Sequence, residues 1–168
     1  MIAIEITQVR SFMNQLLLGE AFDAFLVPEV SITTFATFQI DGTLHPAFYS
    51  GDTERDPADV PTEDQQRVST VRWADIKKHC LSVIRGSRTP LAFHFVFQLD
   101  PASAAALIAS EGLSAAPEEV HGLYLNCRFR QNTLQLTSGV SLAFFDKGKA
   151  VERAWDAHLT RFFRQIGV

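Results

Sequence analysis

Residues 91–99 alternate strictly between large apolar side chains and other side chains. Successive residues of a β-strand point to opposite faces of a sheet, so this period of two predicts a strand with one buried face. Residues 123–130 repeat the pattern, with Leu123, Leu125, Cys127 and Phe129 on the apolar face. The chain is therefore predicted to contain a sheet with one face in the core and one face in solvent.

Four segments have the apolar spacing of amphipathic helices. The first follows Thr7, whose hydroxyl is the predicted N-cap, and ends at Gly19. The third begins at Asp100-Pro101, an N-cap followed by proline at the first helical position. The fourth follows Asp146 as its predicted cap, and its apolar face is Val151, Ala154, Trp155, Leu159, Phe162 and Ile166. The second contains Trp73, Ile76, Cys80, Val83 and Ile84.

Turn signals predict two hairpins. Asp41-Gly42 follows a β-branched segment over residues 25–40 and favours a type I′ turn, which places a return strand at residues 43–49. Gln131-Asn132-Thr133 closes the second hairpin, and Ser138-Gly139 is a candidate bulge in its return strand.

The predicted order is strand, helix, hairpin, a possible strand at residues 68–71, and helix. Strand, helix, hairpin and helix then follow, so the order nearly repeats. Hairpin connections favour an α+β fold with a largely antiparallel sheet and four helices. The recurrence suggests two strand-helix-hairpin-helix units, as a hypothesis about topology. A length of 168 residues is that of one domain, so we predict a single domain over residues 1–168.

Composition places the chain among globular proteins, with 46% hydrophobic residues and a mean hydropathy of +0.05. No stretch approaches the roughly 20 apolar residues of a membrane helix, and the first residues lack the basic start of a secretion signal. The sequence thus predicts a soluble cytoplasmic protein that does not bind membranes. Phenylalanine, with 14 residues against 2 tyrosines and 2 tryptophans, places most aromatic area in the core, which argues against a carbohydrate or base-stacking site.

Charge is distributed unevenly along the chain. Residues 51–67 carry six acids against Arg55 and Arg67, a balance that equals the whole net charge of -4. We predict an acidic loop at about residues 51–66, either flexible or functional. The second and fourth helices are instead basic on the side opposite their apolar stripes, where they carry Lys78, Arg85, Arg153, Arg161 and Arg164. Such a face suits a phosphate backbone or an acidic protein surface.

Motifs for cofactor chemistry are lacking. The glycines are isolated and form no phosphate loop, and the five histidines have no metal-ligand spacing. We therefore predict no metal and no cofactor. Cys80 and Cys127 are predicted to be buried thiols, because two cysteines are too few for a disulfide framework.

The polar faces of the two alternating strands supply an alternative site. His94 and Gln98 lie on one of them, and Tyr124, Asn126, Arg128 and Arg130 lie on the other. The alternative ligand site consists of His94, Tyr124, Asn126 and Arg128. If the strands are neighbours with matching faces, an imidazole meets an anion-binding arginine, as a general base or a ligand-binding group would. The other interpretation of these residues is an ordinary solvated sheet face.

Several segments resemble a small bacterial family of uncharacterised proteins: Ser31-Ile32-Thr33-Thr34-Phe35, Ile40-Asp41-Gly42, Arg88-Thr89-Pro90-Leu91, Phe95-Val96-Phe97-Gln98-Leu99 and Ala154-Trp155-Asp156. This resemblance spans the chain and implies no function. At the level of topology alone, the strand-helix-strand units also resemble the domains of DNA sliding clamps, which face basic helices toward DNA.

The leading hypothesis is a noncatalytic binding domain, clamp-like in this sense, whose basic helical face contacts nucleic acid or an acidic protein. The alternative is a small-molecule enzyme or ligand-binding protein that uses the polar sheet face. Exposed edge strands are also compatible with a homodimer.

Overall fold

The computed structural model of the protein describes residues 1–49, 69–113, 119–143 and 148–168. These residues contain six strands: β1 (Ala3–Ile6), β2 (Leu26–Thr33), β3 (Thr37–Asp41), β4 (Ala92–Gln98), β5 (Val120–Arg130) and β6 (Thr133–Leu142). The strands form one open sheet in the order β1-β6-β5-β4-β2-β3, and every neighbouring pair is antiparallel.

The described part of the chain has four α-helices: α1 (Val9–Leu17), α2 (Trp73–Ile84), α3 (Pro101–Ser110) and α4 (Gly148–Gln165). Buried side chains of all four pack into one core with the apolar side chains of the sheet. The helices therefore cover a single face of the sheet and leave the other face open. This arrangement confirms the predicted α+β class. No helix in the described ranges is long and apolar enough to cross a membrane.

The start of α3 confirms its predicted cap. The Asp100 carboxylate accepts the N–H of Ser103 at 3.1 Å, and Pro101 is the first helical residue. The prediction for α1 was wrong, because Gln8 rather than Thr7 occupies the cap position and makes no side-chain cap bond. Asp146 and the acidic loop at 51–66 lie outside the described residues.

The first hairpin turns seven residues earlier than predicted. Strands β2 and β3 are joined at residues 34–36, where the Thr34 N–H donates to the Ala36 carbonyl at 2.9 Å. The predicted turn at Asp41-Gly42 was wrong, since these residues end β3 instead. The predicted return strand at 43–49 is also absent: Thr43 makes an isolated bridge to Thr70, and a short 3₁₀ helix spans Pro46–Tyr49.

Close approach of two backbone segments explains Gly42. Its N–H donates to the Pro28 carbonyl at 2.9 Å, and a Cβ at this position would lie 1.7 Å from the Val27 carbonyl oxygen. The glycine is therefore needed for backbone packing and not for a positive φ.

The second hairpin confirms its prediction. Arg130 pairs with Thr133, so Gln131 and Asn132 form a two-residue turn with φ values of 51° and 65°. Positive φ at both positions is the signature of a type I′ turn. The predicted bulge at Ser138-Gly139 was wrong, because pairing continues unbroken there and the register shifts instead between Val120 and Gly122.

The order of elements recurs as predicted, but the two halves pair their strands differently. Strands β4, β5 and β6 are consecutive neighbours, whereas β1 pairs with β6 and lies far from β2. The two units therefore have the same order of elements along the chain, but their strands pair differently in the sheet.

The core is rich in aromatic rings, as the composition predicts. Phe93 stacks on Phe95 and Phe129 with centroid distances of 4.9 and 5.0 Å. Cys80 and Cys127 are buried free thiols, as predicted. Burial raises the pKa of Cys80 to about 12 and also raises the pKa of Cys127, so both stay protonated and unreactive at neutral pH.

Candidate functional site

The uncovered face of the sheet brings together the predicted ligand residues. Strands β4 and β5 are neighbours, and His94 pairs directly with Arg128. The His94 Nε2 atom lies 3.1 Å from Asn126 Oδ1. Tyr124 lies further along β5, opposite Gln98. The geometric condition of the sequence hypothesis, neighbouring strands with matching faces, is thus met.

A shallow depression of about 210 Å³ lies on this face around Ala92. Ala92 pairs with Thr33 on β2 and with Arg130 on β5, so a small side chain stands between two larger ones. The depression is lined by Ser31, Thr33, Ala92, Phe93, His94, Arg128, Phe129 and Arg130. Tyr124 and Asn126 are outside this lining, which separates the four predicted residues into two groups.

The depression presents hydrogen-bond donors from two sides. Arg128 and Arg130 point outward from β5, about 7 Å apart along the strand. Both are exposed, and neither has an acidic partner among the described residues. Ser31 and Thr33 face them from β2, with the Thr33 hydroxyl 3.1 Å from that of Thr37. Guanidinium groups and hydroxyls are both hydrogen-bond donors that suit an anionic group.

Three acidic residues lie on the same face but outside the lining of the depression. Glu5 is on the edge strand β1, and Asp41 is on the edge strand β3. Glu29 pairs with Asp41 and with Val96, one side-chain row from Ser31. Thr43 donates through its N–H and its hydroxyl to Asp41, and these bonds lower the pKa of that carboxyl. The positive charge is therefore concentrated at the centre of the sheet.

Sequence reasoning found only half of this depression. The alternation of β5 places Arg130 on the same face as Arg128, so that signal was present. Ser31 and Thr33 were missed, because their contribution depends on the pairing of β2 with β4, which are separated by more than fifty residues. No local pattern reports such a pairing.

The predicted basic face lies on the helical side of the molecule. Its five residues are all exposed: Lys78, Arg85, Arg153, Arg161 and Arg164. Arg161 is the one of these that forms an ion pair within the described residues, with Glu111 at 3.6 Å.

Helix α1 contacts both basic helices. It packs against α2, and its Gln15 side chain donates to the Ile166 carbonyl just beyond α4 at 2.7 Å. Helix α1 thus connects the two helices that carry the predicted basic residues.

A polar cluster at the edge of the sheet joins β1 to α4. The Ser138 hydroxyl accepts the Ile2 N–H at 2.9 Å and donates to the Asp156 carboxylate. The amino group of Met1 forms ion pairs with Glu152 and Asp156. Ser138 is buried and its bonds are satisfied, so this cluster is a structural anchor.

Comparison with known proteins places the chain in a family. The model of a family of unknown function, DUF5721, matches residues 15–168. No match was found among curated proteins or solved structures. The matched range includes every residue of the depression and most of the chain, in agreement with the resemblance to an uncharacterised family. The chain therefore belongs to DUF5721, a family of unknown function.

Proposed function

We propose that this protein is a noncatalytic binding domain whose uncovered sheet face holds an anionic group of a larger partner. One observation carries the proposal: Arg130 faces Thr33 across the small side chain of Ala92. In the next row of the same depression, Arg128 faces Ser31 across His94. The two guanidinium groups have no acidic partner among the residues described, so they are available to a ligand.

The size of the depression favours a large partner over a small molecule. Sites that enclose drug-sized ligands have volumes of about 300–1,000 Å³ and bury most of the ligand. A shallow site of about 210 Å³ instead accommodates one charged group of a molecule that continues across the sheet. This supports a binding domain over the alternative of a small-molecule enzyme.

Inorganic phosphate is the simplest probe of the site. We expect phosphate to shift the amide resonances of residues 31–33, 92–94 and 128–130 in a ¹⁵N-labelled sample, with chloride used to hold ionic strength constant. The double substitution Arg128→Gln and Arg130→Gln removes both charges while keeping side chains of similar shape, so it should abolish these shifts.

A matched control carries Arg85→Gln and Arg153→Gln on the helical side, where the cations are equally exposed. This control should bind phosphate as the wild type does. Shifts concentrated in α2 and α4, or shifts that survive loss of Arg128 and Arg130, would contradict the proposed site.

The basic helical face is a second candidate site, used toward DNA as a clamp domain would use it. It is favoured by four exposed cations that have no acidic partner in the described ranges: Lys78, Arg85, Arg153 and Arg164. This candidate predicts duplex DNA binding that weakens with salt, with a log-log slope of about -0.9 per phosphate contact. Substituting all four by glutamate should abolish binding in an anisotropy titration, and retained affinity would exclude this face.

A further inference from the structure

Gly139 occupies an unusual position in the middle of β6. An interior strand glycine weakens a sheet, and it often marks a bulge or a place where a ligand or another backbone comes close. At Gly139 the pairing is unbroken and φ is not positive. A Cβ there would meet no atom of the described residues nearer than 3.9 Å. The fold itself therefore does not require glycine at position 139. Because glycine has no side chain, it leaves an open area on the uncovered face of the sheet, which we call the floor.

Tyr124 stands beside this floor, directly opposite Gly139 on the neighbouring strand. The phenol end of its ring lies over Gly122, where a Cβ would come within 2.6 Å of Cε2, Cζ and the hydroxyl oxygen. One side of the ring thus rests on the β5 backbone. None of the described residues forms a hydrogen bond with its hydroxyl.

Asn126 adds a directed donor to the same area. Its Oδ1 atom is occupied by His94 at 3.1 Å. Its Nδ2 atom lies 3.9 Å from the position that a Cβ of Gly139 would take. The amide N–H groups consequently border the floor and can donate to an acceptor on a planar ring.

From these features we propose that the partner is a single-stranded nucleic acid, with a phosphate over Ala92 and a base over Gly139 beside Tyr124 and Asn126. This inference rests on the proposed anion site and adds a second subsite to it. A base offers a flat π-face and ring acceptors, which match an aromatic side chain beside an amide donor.

The spacing of the two subsites favours a polymer over a mononucleotide. Gly139 pairs with Tyr124 and Ala92 pairs with Arg130. These two partners are six residues apart on β5, which is about 20 Å along the strand. That separation exceeds the distance between the base and the phosphate of one nucleotide, so separate nucleotides of one strand would occupy the two subsites. An acidic peptide satisfies the arginines but leaves Tyr124 and Gly139 without a partner. A duplex does not fit either, because its bases are stacked on one another inside the helix and their faces cannot contact Tyr124.

The phenylalanine-rich composition argued against base stacking, and Tyr124 is the exception. Most of the described phenylalanines lie in the core, whereas the Tyr124 ring lies outside the core on the open face. Amino-acid composition indicates where most aromatic rings lie, but it does not locate an individual ring such as that of Tyr124.

The test compares two labelled strands of equal length, oligodeoxythymidine and an abasic phosphodiester, in fluorescence anisotropy titrations. Stacking on one aromatic residue corresponds to about a tenfold difference in affinity. We expect the wild type to bind the thymidine strand about tenfold more tightly than the abasic strand. Tyr124→Ala should remove this difference, and Tyr124→Phe should keep most of it.

Two further variants make the comparison specific. Gly139→Val fills the floor and should also reduce thymidine-strand affinity while leaving abasic-strand affinity unchanged. Phe35→Ala removes another aromatic ring, 93% exposed at the β2–β3 turn, and should change neither. Loss of Arg128 or Arg130 should weaken the binding of both strands. Each substitution should reduce the log-log slope of affinity against salt by about 0.7.

Each outcome bears on one of the two proposals. Equal affinity for the two strands, unaffected by Tyr124→Ala, overturns the base subsite and leaves the anion site intact. Phosphate shifts without strand binding overturn the nucleic-acid assignment alone. Tighter binding of a polyglutamate peptide of equal charge identifies a protein partner instead. Absence of both phosphate shifts and strand binding overturns the anion site as well.

Discussion

Replacing Trp73 with alanine is expected to lower the free energy of unfolding by about 3–5 kcal/mol. The Trp73 side chain is 0% exposed, and its ring centroid lies 5.3 Å from those of Phe95 and Phe97. Its indole N–H donates to the Leu16 carbonyl at 2.7 Å, which ties α2 to α1. The expected loss is a large part of the roughly 5–15 kcal/mol that stabilises a typical domain. Urea denaturation followed by circular dichroism measures it without depending on tryptophan fluorescence.

Trp73→Phe separates packing from hydrogen bonding at the same position. Phenylalanine keeps most of the aromatic area but leaves the Leu16 carbonyl without its donor, so we expect a smaller loss of about 1–3 kcal/mol. Equal losses in the two variants would mean that ring packing against Phe95 and Phe97 contributes little.

Local periodicity predicted the strands and helices because each depends on neighbours in the chain. The alternation in β4 and β5 located the buried face, and it correctly placed His94 and Arg128 on the opposite one. The capping signal at Asp100 fixed the start of α3 for the same reason. The face of each residue is thus a local property that the sequence reports.

Strand pairing joins residues that are far apart in the chain, and the sequence alone did not predict which strands are neighbours. The depression needs β2 beside β4, a contact between residues about sixty positions apart. The floor at Gly139 needs β6 beside β5 without a bulge, which a glycine in a strand does not reveal. Hence the depression was predicted on one of its two sides only.

The two hairpins show how tertiary contacts override a turn signal. Asp41-Gly42 carries the stronger type I′ signal, yet Gly42 lies against the backbone of Val27 and Pro28. Gln131 and Asn132 carry the weaker signal and adopt the turn, because the long pairing of β5 with β6 leaves two residues to reverse the chain. Positive φ was thus supplied by an asparagine and a glutamine.

Gly42→Ala tests this explanation, and we expect it to lower the free energy of unfolding by about 3 kcal/mol, at the upper end of overpacking effects. The new Cβ would lie 1.7 Å from the Val27 carbonyl oxygen, so backbone rather than a flexible side chain must move. The movement also strains the bond from the Val71 N–H to the Gly42 carbonyl, which is 2.8 Å long. Chemical denaturation of the variant measures the loss.

Gly86→Ala is the matched control, because a Cβ at Gly86 would meet no described residue within 4 Å and its φ is not positive. Alanine there restricts the unfolded chain without a clash, so we expect a gain of about 0.4–1 kcal/mol. Opposite signs for the same chemical change would show that contact with β2, rather than backbone freedom, selects glycine at position 42. If Gly42→Ala did not lower the free energy of unfolding, the close contact with β2 would be contradicted, and the segment after β3 would have to lie further from β2. A turn with positive φ would not explain Gly42 in that case either.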